Sequence, residues 1–190
     1  MTNQPVSMST TNRKGGRPDP ARRMGRFGMI MFICSQLVPV VVLVDVRYLF
    51  VGSYVSAQTN QPVALFVALL MAISGAMAWT VRNSAIQGRD QVARVKWMVL
   101  LGAGALLGVL YQWSVRFMSP GTRYGEVFYT MTGFAVFYLI VGLVGLLSYI
   151  SRVRLVKSSS DNYWHMEAVA LLWAGVSVIW IVTYAVLYLL

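Results

Sequence analysis

Few side chains in this sequence can do acid–base or ionic chemistry, and several of them lie at the ends of long apolar segments. Asp45 and Arg47 are two residues apart near the end of the first such segment. Glu126 begins the fourth segment, close to Arg123. An ionisable group in hydrocarbon is costly and is therefore a functional candidate. The alternative is structural, because the first pair can neutralise itself at an interface and an acid in a first helical turn suits the helix dipole.

A second group of candidates lies around the start of the fifth apolar segment. Trp164, His165 and Glu167 occur together there. They are either an interfacial anchor with a first-turn acid or polar contacts to a lipid headgroup or partner subunit. Arg82 and Arg89 lie on the same predicted side, where basic groups attract anionic lipid at about 1 kcal/mol each. We predict lipid or partner contacts at these five side chains.

No pattern for catalysis or metal binding accompanies them. The chain has one histidine, His165, and one cysteine, Cys34, which we expect to be a small buried apolar residue. Together they cannot supply the axial ligands of a haem and a copper site. No Ser-His-Asp arrangement, phosphate loop or metal-ligand spacing is present in the sequence. We therefore predict no catalytic, cofactor or metal site carried by this chain alone.

Uncharged polar and small residues inside the apolar segments predict contacts between helices. Gln36 is the deepest strongly polar group of the first segment, and Gln112 and Ser114 are its counterparts in the third. Such side chains hydrogen-bond to neighbouring helices in a membrane. Small residues allow close helix approach, and they are Ser74, Gly75, Ala78, Gly102, Gly104 and Gly108.

The elements that position these residues are five apolar segments. Of the 190 residues 57% are hydrophobic, 12% are charged, and the mean hydropathy is +0.63. Each segment reaches the ~20 residues that span a ~30 Å hydrocarbon core as a helix, and the strict alternation of a β-barrel is absent. We predict an all-α membrane protein with helices at about 27–51, 62–81, 95–117, 124–150 and 164–190. Residues 1–24 are predicted to be a disordered basic cytoplasmic tail, and 25–190 a five-helix transmembrane domain.

The distribution of positive charge predicts the orientation. A net charge of +10 would suggest nucleic acid as the partner of a soluble protein. Here, however, the basic residues flank apolar segments, where they act as topology signals. Thirteen of the 16 Lys and Arg residues lie in the N-terminal tail and in the second and fourth connecting regions. We expect a cytoplasmic N-terminus, an outside C-terminus and no nucleic-acid partner.

Five segments, in order, resemble the short form of haem-copper oxidase subunit III. The run Gly28–Gln36 resembles the opening helix of that family, whose pattern is roughly G-M-I-L-F-I-x-S-E. Similar matches follow in the next four helices, at Ile73–Trp79, Leu107–Ser114, Tyr124–Phe134 and Tyr163–His165. The resemblance covers residues 24–190.

The sequence departs from this family at its titratable positions. The membrane glutamate of the first helix falls on Gln36, and a second glutamate falls on Val115. Two histidines of the fourth helix fall on Ala135 and Tyr138, and an aspartate falls on Ala168. Because these acids are lost, the proton-linked role that they have in the family is not expected at these positions. The losses indicate a divergent member of the family.

The resemblance implies a non-catalytic subunit of a respiratory haem-copper terminal oxidase in a bacterial inner membrane, in aerobic electron transport. Catalytic subunits I and II would be its partners, and the haem and copper would lie in the catalytic subunit. It further implies a two-helix unit, helices 1 and 2, and a three-helix unit, with lipid in the cleft between them. The alternatives are a nitric-oxide-reductase-associated or orphan accessory protein of the same fold, and a small transporter. A transporter is disfavoured because paired buried charges or broken helices are expected there.

Overall fold

The computed structural model describes residues 20–56, 59–86, 91–116, 118–155 and 164–190, which form five long helices. They are α1 (Pro20–Val51), α2 (Gln61–Ile86), α3 (Val92–Val115), α4 (Arg123–Leu155) and α5 (Trp164–Tyr184), and α5 continues into a π-helical turn (Ala185–Leu189). No described residue lies in a strand. All five helices are long and apolar enough to cross a membrane. The prediction of an all-α, five-helix membrane fold is therefore confirmed.

The helix ends extend beyond several predicted limits. Helix α1 begins at Pro20, so residues 20–24 are helical although we predicted them to be part of the disordered tail. Helices α2 and α4 each continue five residues past their predicted ends. Arg and Met are good helix formers, so a polar extension of an apolar helix is readily tolerated. The remainder of the predicted tail, residues 1–19, lies outside the described residues.

The helices are arranged as a ring of four with one helix outside it. Helix α2 packs against α3 and α5, and α4 closes the ring by packing against the same two helices. Helix α1 lies mainly against α4 and α5. The expected pairing of helices 1 and 2 as a separate unit is thus wrong for the described residues. Small residues of α2 contact α3 and α5, its two neighbours in the ring.

Trp173 of α5 lies at the centre of the ring and is fully buried. Its indole Nε1 donates to the Ser74 hydroxyl of α2 at 2.8 Å, and that hydroxyl donates to the Met98 carbonyl of α3 at 3.4 Å. A Cβ atom added at Gly102 would lie 2.5 Å from the indole ring, and one at Gly142 would lie 2.8 Å from it. The ring of helices therefore closes around one indole that fits between two glycines.

The other small residues show where the backbones approach each other. A Cβ atom at Gly75 would lie 2.7 Å from the Cβ of Ser177, and one at Gly108 would lie 2.5 Å from Val67. These contacts join α2 to α5 and α3 to α2. They agree with the prediction that small residues permit close helix packing.

Helix α1 is peripheral, and this position explains one wrong prediction. We expected Cys34 to be buried, but it is exposed on the protein surface. Many apolar side chains of α1 are exposed in the same way, including Val38, Val41 and Leu49. Their apolar character suits a surface that faces lipid, so hydropathy alone does not distinguish this surface from a core.

Candidate functional site

Charged side chains from three helices meet at the end of the bundle where α1 begins, here called the N-terminal end. The Glu167 side chain is 2% exposed. Its Oε1 lies 2.6 Å from a terminal nitrogen of Arg26, and 3.2 Å from both Nε and a terminal nitrogen of Arg82. We call these three residues the ionic cluster. It joins α1, α2 and α5, and because two cations share one carboxylate, its formal charge is +1.

The ionic cluster includes a residue that sequence reasoning counted only as a topology signal. Arg26 lies one turn after Arg23, at the edge of the first apolar segment, and nothing local shows that it reaches Glu167. Arg82 has a further partner in Trp79, because its guanidinium carbon lies 5.0 Å from the centre of that indole ring. The i,i+3 spacing of Trp79 and Arg82 on one helix is a signal that could have indicated this contact.

The other side chains predicted to contact lipid or a partner at this end do not all face the surface. Glu167 is buried, so its carboxylate binds the two arginines of the ionic cluster and does not face lipid. His165 is half-buried in the first turn of α5, and the structure shows no hydrogen bond or ion pair from it to another described residue. Arg89 and the side chain of Trp164 lie outside what the structure describes.

Gln36 forms the expected hydrogen bond between helices in the middle of the bundle. The Tyr138 hydroxyl of α4 donates to Gln36 Oε1 at 2.5 Å, and Gln36 Nε2 donates to the Ser35 hydroxyl at 3.0 Å. The Tyr138 ring also packs edge-to-face with Phe134, with 4.9 Å between ring centres. Gln36 and Tyr138 are two of the positions at which the sequence departs from the subunit III pattern. Both departures therefore meet in one neutral hydrogen bond, which contains no group that titrates near neutral pH.

At the opposite, C-terminal end of the bundle, Arg47 is fully buried. It donates from Nη1 to the Gly52 carbonyl at 2.7 Å, and its guanidinium carbon lies 4.9 Å from the centre of the Tyr48 ring. Gly52 has a φ of 65°, which turns the chain back over the end of α1 and presents its carbonyl to Arg47. Asp45 is exposed, and no ion pair joins it to Arg47 in the described structure. The predicted neutralisation of Asp45 by Arg47 is thus wrong, because Arg47 binds the backbone at the end of α1.

Glu126 lies in the first turn of α4, as the alternative structural interpretation expects. With Arg123 and Thr130 it forms the polar part of the wall of a cavity of about 160 Å³ between α1 and α4. The remaining wall is apolar and consists of Leu43, Val46, Phe50, Val127 and Met131.

A set of uncharged polar side chains also joins the helices at the C-terminal end. The Tyr188 hydroxyl donates to Gln112 Oε1 at 3.0 Å, which confirms that Gln112 bonds to another helix. The Tyr124 hydroxyl donates to the Leu187 carbonyl at 2.5 Å. Ser114, in contrast, donates to the Tyr111 carbonyl of its own helix at 2.8 Å and is exposed, so its predicted role between helices is wrong.

The arrangement supplies packing and hydrogen bonds between helices. Among the described residues, no group of three or more His, Cys, Asp or Glu side chains is placed to hold a metal ion. The ionic cluster and the hydrogen bonds of Gln36 and Gln112 each connect one helix to another.

Comparison with known proteins gives a consistent family. No family model matches the chain. It is 26% identical to cytochrome c oxidase subunit 3 of Locusta migratoria over 86% of its own length, and 25% identical to that of Danio rerio over 92%. It is 29% identical to the Synechocystis subunit over 64% of its length. The matches cover 68%, 73% and 54% of those three relatives, and about half of several others.

These relatives and the five helices agree with the motifs quoted above. The similarity over most of the chain supports a divergent member of the haem-copper oxidase subunit III family. The chain is a multi-pass membrane protein.

Proposed function

We propose that the chain is a non-catalytic subunit III-like component of a respiratory haem-copper terminal oxidase of the cytochrome c oxidase type. Its partners are the catalytic subunits I and II, which hold the haem and copper. The family membership of the chain is the observation that carries this proposal. The structure supports it because Gln36, Gln112 and Glu167 connect helices to one another.

The physical role that we propose is stabilisation of the catalytic subunit. The glycines around Trp173 leave no space for the indole to move, so the ring of helices should be rigid. A rigid ring offers the catalytic subunit a fixed surface to pack against. The Gln36–Tyr138 hydrogen bond takes the place of titratable groups of the family pattern. We therefore propose a scaffolding role without proton transfer at that position.

We also propose lipid binding at the N-terminal end, where the ionic cluster has an excess positive charge. The side chains of Arg26 and Arg82 are 39% and 18% exposed, so both guanidinium groups can reach a lipid phosphate while they hold Glu167. Trp79 is exposed beside Arg82, as interfacial tryptophans are. Arg89, Trp164 and His165 belong to this proposal on sequence grounds.

The location that we propose is a bacterial inner membrane, with the N-terminus in the cytoplasm and the C-terminus outside. The bias of Lys and Arg supports this orientation. The ionic cluster would then face the cytoplasmic leaflet, whose anionic lipids attract positive charge.

Purification of the native complex tests the proposed function. A tag on this chain, used in mild detergent, should recover a haem- and copper-containing partner, identified by absorbance, metal analysis and mass spectrometry. An identically tagged membrane protein of unrelated fold is the control. A haem protein without copper would favour association with a nitric oxide reductase, and recovery of this chain without any haem would contradict both assignments.

A further inference from the structure

Gln112 and Tyr188 lie between two small cavities at the C-terminal end of the bundle. Each cavity leaves about 10 Å³ for the centre of a water-sized sphere. The inner one is also lined by Thr132 and Thr183, and the outer one by Thr59 and Asn60. A volume of this size is close to the lower limit for one water molecule and excludes larger ligands.

The side chain of Gln112 lacks a partner on one side. The residue is 7% exposed, and its Oε1 accepts the Tyr188 hydroxyl proton. Its buried Nε2 has no hydrogen-bond partner. A buried amide nitrogen without an acceptor costs about 1–3 kcal/mol. Exchanging the amide N and O atoms does not remove the problem, because one of them still lacks a partner.

The surrounding hydroxyl groups offer acceptors and no free donors. The hydroxyl protons of Thr132 and Thr183 are already donated to the Phe128 and Ile179 carbonyls, at 2.7 and 2.9 Å. The Tyr188 proton is donated to Gln112. A water molecule accepts from an N–H group and donates two protons, so it fits between the amide donor and these oxygens.

The outer cavity has the same chemical character. The Thr59 hydroxyl donates to the Ser56 carbonyl at 2.8 Å, and Asn60 Oδ1 accepts from the Val63 N–H at 3.3 Å. Their remaining lone pairs can accept from a water bound to the second N–H of Gln112. The π-helical turn that carries Tyr188 adds support, because such turns are frequent at functional sites.

We propose that Gln112 and Tyr188 form a hydration site that holds one water molecule in each cavity. The two waters connect Thr59 and Asn60, at the α1–α2 connection, with Thr132 and Thr183 in the interior. The site is independent of the oxidase assignment, because it rests on the hydrogen bonding of this chain.

Water-edited solid-state NMR of the full-length chain in lipid bilayers tests the site. With glutamine side chains labelled with ¹⁵N, magnetisation from water should reach Gln112 Nε2 early, and a Gln112→Met variant assigns its signal. Gln36 is the internal control, because its amide donates to Ser35 and accepts from Tyr138. Transfer to Gln112 as slow as transfer to Gln36 would overturn the proposal.

Two threonine variants test the inner water. Thr183→Val keeps the shape but removes one acceptor, so early transfer to Gln112 should be partly lost. Thr130→Val is the matched control, because Thr130 also donates to the carbonyl four residues before it, at 2.8 Å, but is exposed outside the site. Equal transfer in both variants would refute the inner water.

Discussion

Two glycines of α3 that are two residues apart should respond oppositely to the same substitution. A Cβ at Gly102 would lie 2.5 Å from Cη2 and 2.8 Å from Cζ2 of Trp173, whereas one at Gly104 meets only a Leu70 methyl group at 3.5 Å. Trp173 cannot move aside, because Ser74 holds its Nε1 and Gly142 lies against its ring. Overpacking of this kind costs about 1–3 kcal/mol.

The gain in helix propensity acts on both variants. Replacing glycine by alanine within a helix stabilises it by about 0.5–1 kcal/mol. At Gly104 this gain is unopposed, so Gly104→Ala should stabilise the protein by up to about that amount. At Gly102 the gain offsets only part of the clash, so Gly102→Ala should destabilise the protein by up to about 2 kcal/mol.

The assay is unfolding of the purified protein in one detergent, followed by circular dichroism and by tryptophan fluorescence. The two variants are matched in residue type, helix and substitution, so general effects of detergent cancel between them. Equal shifts of the unfolding midpoint in the same direction would refute the account of a ring closed around Trp173.

The remaining predictions concern the polar groups and the orientation. Tyr138→Phe removes one hydrogen bond and should lower the free energy of unfolding by about 0.5–1.5 kcal/mol. Gln36→Leu should also loosen helix packing but leave proton-coupled turnover of the parent complex nearly unchanged. A large loss of proton pumping in an intact complex would contradict this expectation. Glu167→Gln leaves two arginines without a counter-ion and should lower the free energy of unfolding by up to about 3 kcal/mol. Glu126→Gln is the control, because Glu126 is exposed, and it should leave the stability nearly unchanged. Similar unfolding midpoints for the two variants would contradict the ionic cluster. Alkaline phosphatase fused after Leu190 should be active in a bacterial host, and an inactive but intact fusion would contradict the proposed orientation.

Hydropathy and residue type were sufficient to predict the five helices and several contacts. Gln36 was correctly expected to bond across helices, because an amide in hydrocarbon needs a partner. The close approaches at Gly102 and Gly108 also follow from residue size. These predictions depend on local properties that any neighbouring helix would satisfy.

The choice of neighbours was not predictable in the same way. The helices are apolar on nearly all faces, so the pattern does not show that α1 lies outside the ring or that Cys34 is exposed. Arg26 and Glu167 are 141 positions apart in the sequence, and only the folded structure brings them together. Arg47 was misinterpreted because the nearby Asp45 suggested a local pair, whereas the turn at Gly52 supplied its acceptor.

The position of α5 in the ring has a consequence for biogenesis. Helix α2 packs against α3, which follows it directly, and against α5, which is synthesised only after α3 and α4. Until α5 leaves the translocon, the Ser74 hydroxyl lacks its indole donor and the face of α2 that carries Gly75 is open to lipid. Arg26 likewise has no carboxylate partner in the ionic cluster until Glu167 is inserted. Helices α2, α3 and α4 can pack before α5 is inserted, but the ring can close only when α5 enters the bilayer.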